Sequence, residues 1–261
     1  MMKAAIVGFG TISIVHIDAI ATNPGMELVA ICDINEERAA KVPEGVKFYT
    51  DYKKMVQEVQ PDVVHNLLPH YLHYPVTKEL VEMGFNVFCE KPIALNSKEA
   101  EQFCALEAAH PEVKIGVCLQ NRMNETTEAL KQIIESGEYG KIVGIRGFVP
   151  WRRDKAYYDA QPWRGKWKYA GGGLYDVEEF SNNDAWGVQH GTVIANFASH
   201  VLFGTELLAP GADGIMGVRL ANASQLSAWT GKTVSYPCCE EEYNAKLNEL
   251  IAAEGKFPVR D

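Results

Sequence analysis

The chain has only six cysteines in 261 residues, and none stands in a C-x-x-C or Cys/His spacing of the kind zinc sites use. They lie at 32, 89, 104, 118, 238 and 239, and four of them fall in apolar runs, as core thiols do. No metal is expected, and a reducing cytoplasm is the plain reading of thiols so scattered. No apolar run approaches membrane-spanning length, which argues against a bilayer span. Positive charge is in deficit, 25 Lys and Arg against 34 Asp and Glu, for a net charge of -9. That balance argues against nucleic acid or an anionic membrane as partner. Any attraction for an anionic ligand must therefore be local. The N-terminus carries one lysine and a brief apolar stretch without a cleavage site, so it reads as a strand rather than a signal peptide. There is no internal repeat and no low-complexity linker. Hydrophobic residues at 47% and charged residues at 23% are ordinary for a globular chain, long enough for one large or two modest domains.

What is present is concentrated in Lys3 to Asp33. A short apolar run, Lys3 to Val7, ends in Gly8-Phe9-Gly10-Thr11-Ile12-Ser13. A helical pattern continues to Ile20, and a second apolar run, Glu27 to Cys32, stops at Asp33. Strand, glycine turn, helix, strand and acid in this order match the dinucleotide fingerprint. In that fingerprint the first glycine makes a tight turn and the second lets backbone approach a pyrophosphate. The phosphates then rest on the helix N-terminus, where unpaired N–H groups and the dipole favour negative charge. Asp33 stands where a carboxylate accepts from ribose hydroxyls, which favours NAD over NADP, although Arg38 nearby tempers the preference. One position departs from the pattern: Ser13 stands where a third glycine is usual, so helix and strand are expected slightly further apart.

Downstream, strands and helices alternate. A polar helix at 36–41 precedes a strand at 47–49. Asp51 caps a helix to about Val59, with Met55, Val56 and Val59 inward. Val63 to Leu68 reads as a buried strand ending at Pro69, and a helix is expected over 76–83. Asn86 to Cys89 ends at Glu90-Lys91-Pro92. Asn96 with Glu99 suggests a capping box opening a helix to about Ala109. Lys114 to Leu119 ends at Gln120-Asn121-Arg122, and helix 126–136 carries Leu130, Ile133 and Ile134 on one face. This alternation predicts an α/β class, a doubly wound parallel sheet covered on both faces. Ligands bind such sheets beyond the carboxyl ends of the strands. Asp33, Pro69-His70, Glu90-Lys91-Pro92 and Asn121-Arg122 are thereby expected to converge on one crevice.

Gly8-Phe9-Gly10, Asp33, Pro69-His70-Tyr71-Leu72-His73, Glu90-Lys91-Pro92 and Gln120-Asn121-Arg122 together resemble the glucose-fructose oxidoreductase / inositol dehydrogenase (Gfo/Idh/MocA) family. The likeness continues through Gly140-Lys141-Ile142, Trp163-Arg164-Gly165-Lys166-Trp167 and Gly171-Gly172-Gly173. The resemblance implies an N-terminal Rossmann domain over 1–122 and a C-terminal α+β domain over 123–261, the latter reduced here. It implies NAD(P)-dependent hydride transfer to or from a sugar, inositol or related polyol, with NAD as cofactor and NADP possible, in a homo-oligomer. The implied catalytic residue is Lys91, and a lysine partly desolvated at a strand end is suited to exchanging a proton with a substrate hydroxyl. The implied cofactor set is Gly8, Phe9, Gly10, Thr11, Ile12, Asp33, Leu68, Pro69, His70, His73, Glu90, Lys91, Asn121, Trp163 and Arg164. Lys91 and Arg122 are implied on the substrate side. His16, on the first helix, reads as a packing or capping histidine.

The chain also departs from the family. An acid or amide, then a histidine four residues on, normally follows the triple glycine; here Asp176 stands near the acid position and no histidine appears before His190. Between Tyr139 and Asp261 only Lys141 to Val149 reads as a long strand. On the order of 100 residues of the expected second sheet are lacking, judged from strand and loop lengths. Without that sheet, Val193, Ile194, Phe197, Val201 and Leu202 on the tail helices are expected to be uncovered. Two other readings follow: a catalytically silent NAD(P)-binding protein, and an NAD-dependent glycoside hydrolase.

Overall fold

A computed structural model describes residues 1–144, 155–170 and 185–254 of the chain, with side chains from 189 in the last stretch. One sheet is built from β1 (Met2–Val7), β2 (Met26–Cys32), β3 (Lys47–Tyr49), β4 (Val63–Asn66), β5 (Asn86–Cys89) and β6 (Ile115–Val117). Its order is β3-β2-β1-β4-β5-β6, and every pairing is parallel. Parallel neighbours need crossovers. These are α1 (Ser13–Thr22), α2 (Tyr52–Val59), α3 (His73–Glu82) and α4 (Ser97–Ala109). The α/β class expected from the alternation is what forms.

Local chemistry explains most boundaries. Asp51 caps α2 by accepting from the backbone N–H groups of Lys53 and Lys54, and Asn96 caps α4 by accepting from Glu99. The helix expected from 76 begins earlier, at His73, with Pro75 inside its first turn. A proline is tolerated there because its missing N–H has no partner to lose. Glu36–Lys41 is a 3-10 turn rather than an α-helix, and none of its residues is buried, so no apolar stripe holds it against the sheet.

The strands divide the core into two layers. Ala5 and Val7 of β1 join Met55, Val64, Leu80, Val87 and Phe103 on one face, while Ala4 and Ile6 join Ile20, Val63 and Phe88 on the other. This is the two-residue alternation of a strand buried on both sides. The later chain completes both layers. After the short helices α6 (Lys155–Asp159) and α7 (Trp167–Ala170) comes α8 (Ala185–Phe203), whose Val193, Ile194 and Phe197 are each 1% exposed and pack into the layer of Ile6 and Phe88. The expectation that they would lie uncovered is therefore corrected: the face of the nucleotide-binding sheet is what covers them. Val201 is half-buried, and only Leu202, at 44%, is exposed as expected. On the opposite layer α9 (Gly214–Thr230) lies against α4 and contributes Val218, and α10 (Glu240–Glu254) packs on α9 through Tyr243 stacked on Trp229.

Other expectations change in the same region. The apolar face of α5 (Glu125–Ser136) is exposed, with Leu130 at 57% and Ile133 at 51%, since no described element packs on it. Residues 141–144 form no strand, and 145–149 lie outside the described residues, as do Gly171–Gly173 and Asp176. Among the described residues, no helix is long and apolar enough to cross a membrane.

The seat of α8 is testable at Gly116. A Cβ there would lie 2.4 Å from the Phe197 ring and 3.0 Å from the Phe88 ring. Both rings are fully buried, so neither has room to swing aside. Gly116→Ala should destabilise the fold by about 1–3 kcal/mol. Chemical denaturation reads this directly, and an unchanged midpoint would mean that α8 does not rest on β6.

Candidate nucleotide-binding site

The strand order reverses between β1 and β4, and the loops leaving their carboxyl ends part at that point. A crevice of about 380 Å³ opens there, within the usual size of small-molecule sites. Its lining includes Gly8, Gly10, Thr11, Ile12, Asp33, Arg38, Leu68, Pro69, His70, His73, Glu90, Lys91, Trp163 and Arg164.

Gly8 makes the turn possible. Its φ is +100°, and a Cβ would lie 2.7 Å from the Leu67 carbonyl oxygen, so a side chain is excluded twice over. Gly10 has the opposite surroundings, with nothing within 4 Å of a built Cβ, leaving open space above the turn. The first turn of α1 holds no acid, and Ile12 gives it no side-chain cap. The Ser13 and Val15 N–H groups donate to Gly10 O and Ile12 O, and the positive end of the helix faces an incoming anion. Ser13 is 2% exposed and donates its hydroxyl to Gly10 O at 2.6 Å, bracing the turn where a third glycine is usual.

Asp33 faces the turn from β2. Its Oδ2 accepts from the Phe9 N–H at 2.9 Å and from Arg38 Nη1 at 2.7 Å, while Oδ1 accepts from the Asn35 N–H. Phe9 enters only through its backbone, the N–H to Asp33 and the carbonyl to Arg38; its side chain packs into the core layer of Ile6. Arg38 is the more informative neighbour. Committed to Asp33 and to Phe9 O, it braces the acid rather than standing apart as a phosphate ligand.

On the other side, His73 ties two loops together. Its Nδ1 lies 2.6 Å from Pro92 O and its Nε2 lies 2.6 Å from Leu68 O, so the loop after β4 and the cis Lys91–Pro92 peptide share one brace. His70 places Nδ1 3.3 Å from Ala170 O, and its ring meets Trp163 edge-on at 4.7 Å. Burial, then the neighbouring His73, pushes the His70 pKa down to about 3. Burial also lowers those of His65 and His73.

Glu90 is 6% exposed, with Oε1 2.9 Å from His16 Nε2 and Oε2 accepting from the Lys91 N–H at 3.2 Å. Burial alone would raise its pKa, but the His16 hydrogen bond and the charge of Lys91 outweigh it and hold the carboxyl well below the usual range. Expected as a packing or capping histidine, His16 is fully buried and is the partner of Glu90.

Not every expected residue is brought in. Asn121 and Arg122 do not line the crevice. The Arg122 guanidinium instead donates to Asp213 Oδ2 at 2.6 Å and to Leu208 O at 2.9 Å, tying the end of β6 to the segment before α9. Sequence reading missed Tyr157 and Gln161, which line the crevice beside Trp163. The Arg164 guanidinium lies 4.1 Å from the Tyr157 ring, and no strand-end or turn signal marks that segment.

Fold and crevice define a class, the α/β proteins that carry a nucleotide across the tips of a parallel sheet. The family follows from comparison. Residues 2–117 match the model of the oxidoreductase family with an NAD-binding Rossmann fold, and residues 127–178 match the GFO/IDH/MocA C-terminal domain. The chain belongs to this GFO/IDH/MocA family of oxidoreductases. It is 30% identical over 151 residues to inositol 2-dehydrogenase of Salmonella paratyphi B, covering 56% of this chain and 45% of that protein. The chain thus spans about half the length of the curated relatives it matches. A solved WlbA dehydrogenase from Bordetella pertussis, in complex with NADH and UDP-GlcNAcA, is 34% identical with a TM-score of 0.61, over 64% of this chain and 49% of that one. A second WlbA dehydrogenase, from Chromobacterium violaceum, shares the fold at 21% identity and a TM-score of 0.79, over 89% of this chain and 95% of that one.

Two measurements test the site. Arg122→Gln should lower the melting temperature, because it removes the tie to Asp213, yet leave NADH affinity within about twofold in fluorescence titration, a change of under 0.5 kcal/mol. A tenfold loss of affinity would place Arg122 in the crevice after all. The second concerns acid. His65, His70 and His73 have folded pKa values below their unfolded value of 6.5, so the unfolded chain binds more protons below that pH. Their contribution is fully present above pH 6.5 and is lost as the pH falls toward the His70 value of about 3. Melting temperature should fall through that window, and His70→Gln should flatten the slope.

Proposed function

We propose that the chain binds NAD(H) along the sheet tips and transfers hydride between the nicotinamide and a CH–OH carbon of a sugar, inositol or related polyol. The observation that carries this reading is the single crevice joining the uncapped glycine turn, Asp33 and Lys91. The residues fit such a cofactor. Gly10, Thr11 and Ile12 offer backbone to a pyrophosphate over open space, and the Asp33 carboxylate, at the end of β2, suits ribose hydroxyls. A 2′-phosphate would meet the Asp33 charge, which supports NAD over NADP. Leu68, Pro69 and His70, with Trp163 and Arg164 opposite, line the remainder toward Glu90 and Lys91.

The bound nicotinamide supplies the hydride chemistry. Lys91 contributes the amine that holds or relays the hydroxyl proton, and Glu90 fixes the backbone of Lys91 through its N–H. The loop braced by His73 keeps Lys91 and Leu68 at a set separation. Within residues 123–261, α8 and α9 complete the core of the nucleotide-binding sheet, and the remainder supplies the substrate side and the contact with further copies of the chain. The six free cysteines support a reducing compartment such as the cytoplasm.

Fluorescence titration with NADH, followed by assays with NAD and a panel of inositols and UDP-sugars, tests the reading. NADH should quench protein fluorescence, and at least one polyol should reduce NAD. Lys91→Met should retain NADH affinity while lowering turnover by about 10²–10⁴-fold, the usual weight of a lost proton-transfer group. Absence of NADH binding, or turnover indifferent to Lys91, would remove the assignment.

A further inference from the structure

Behind the crevice floor lies a set of buried polar groups that hydride transfer does not require. His16 of α1, His65 of β4 and His190 of α8 are 0%, 0% and 2% exposed, and Cys118, just past β6, is 0% exposed. They surround Glu90. His16 Nδ1 lies 3.0 Å from His65 Nδ1, and His16 Nε2 lies 2.9 Å from Glu90 Oε1. Donor atoms of Cys118, His16 and Glu90 lie within 4.8 Å of one another. The His190 ring stands edge-on to His16 at 6.1 Å. Side chains from four segments are therefore buried together around His16 and Glu90.

The direction of the hydrogens follows from what each atom can accept. A carboxylate only accepts, so His16 Nε2 carries a hydrogen toward Glu90. Two ring nitrogens 3.0 Å apart share one hydrogen between them. His65 Nε2 is buried and, among the described residues, has no partner. Burial holds His65 neutral, with a single hydrogen to place. An N–H buried without an acceptor costs more than a bare lone pair, so the hydrogen sits on Nδ1, facing His16. The donors run from His65 to His16 to Glu90. His16, Glu90 and Cys118 bring donor atoms within 4.8 Å of one another, and the His16–Glu90 pair among them is a hydrogen bond.

We propose that His16 is a positioning residue: oriented by His65, it pins the Glu90 carboxylate as the fixed anion beside Lys91. The groups facing that anion are His16 from α1, His73 from α3, Lys91 from its own loop, Cys118 from the end of β6 and His190 from α8. The His16 hydrogen bond to Glu90 is itself aimed by a second side chain, His65. Without it, burial would favour the neutral acid, and Lys91 would lose its counter-charge. The proposal rests on Lys91 being the working amine of the proposed function.

The test reads Lys91 itself, in the full chain without cofactor or substrate. Acetic anhydride labelling at neutral pH, followed by peptide mass spectrometry, gives the rate at which the Lys91 amine reacts. Glu90→Gln should speed labelling by about tenfold, the effect of one lost neighbouring charge. His16→Leu should speed it in the same direction, and His16→Gln, which keeps an N–H donor, should stay nearer the native rate than His16→Leu. In the Glu90→Gln background His16→Leu should add nothing, because its effect passes through the missing carboxylate. An equal factor in both backgrounds would overturn the proposal, as would equal behaviour of the leucine and glutamine variants. If His16→Leu does not fold, as judged by circular dichroism, His65→Leu takes its place. It should speed labelling less than Glu90→Gln does, and an unchanged rate would sink the relay. NADH titration is scored separately: failure to bind NADH would remove the proposed function and leave the labelling result standing.

Discussion

The whole arrangement depends on how closely the turn after β1 passes the end of β4. At Gly8 the backbone comes within 2.7 Å of where a side chain would begin, measured to the Leu67 carbonyl. That approach places the start of α1 at the point where the strand order reverses. Everything polar in the crevice is then set at the tips of neighbouring strands: Asp33 after β2, Leu68 and Pro69 after β4, Glu90 and Lys91 after β5. A parallel sheet makes this convergence unavoidable, since all its strands end on the same edge.

Electrostatics in the crevice is organised by pairing rather than by net charge. The chain is acidic overall, at -9, yet both carboxylates on the crevice floor are occupied. Asp33 is held by Arg38 and the Phe9 N–H, and Glu90 by His16 and the Lys91 N–H. Glu90 carries enough donors to remain an anion where burial would neutralise it. An incoming dinucleotide therefore meets the positive end of α1 rather than an unscreened acidic surface.

The tail helices show how a chain that spans about half the length of the curated relatives it matches still closes its core. Val193, Ile194 and Phe197 of α8 fill one face of the sheet, and Val218 of α9 joins the other. Periodicity identified those residues as an apolar stripe but could not say what the stripe would meet, since burial belongs to pairs of surfaces. The same limit applies to α5, whose Leu130 and Ile133 carry an equally clear stripe and remain exposed among the described residues.

The α/β alternation, the caps at Asp51 and Asn96, the glycine turn and the acid after β2 were legible in the sequence, because each is governed by neighbours a few residues away. So was the gathering of Asp33, His70 and Lys91 at one edge, which follows from parallel strands alone. Tertiary structure decided the rest. Arg122 stands at a strand end like the others, yet Asp213, 91 residues along the chain, draws its guanidinium away. His16 looked like any packing residue on a helix until β4 and β5 brought His65 and Glu90 to its two ring nitrogens. Short-range chemistry is written along the chain, whereas the partner of a long side chain is chosen by whatever folding brings within its reach.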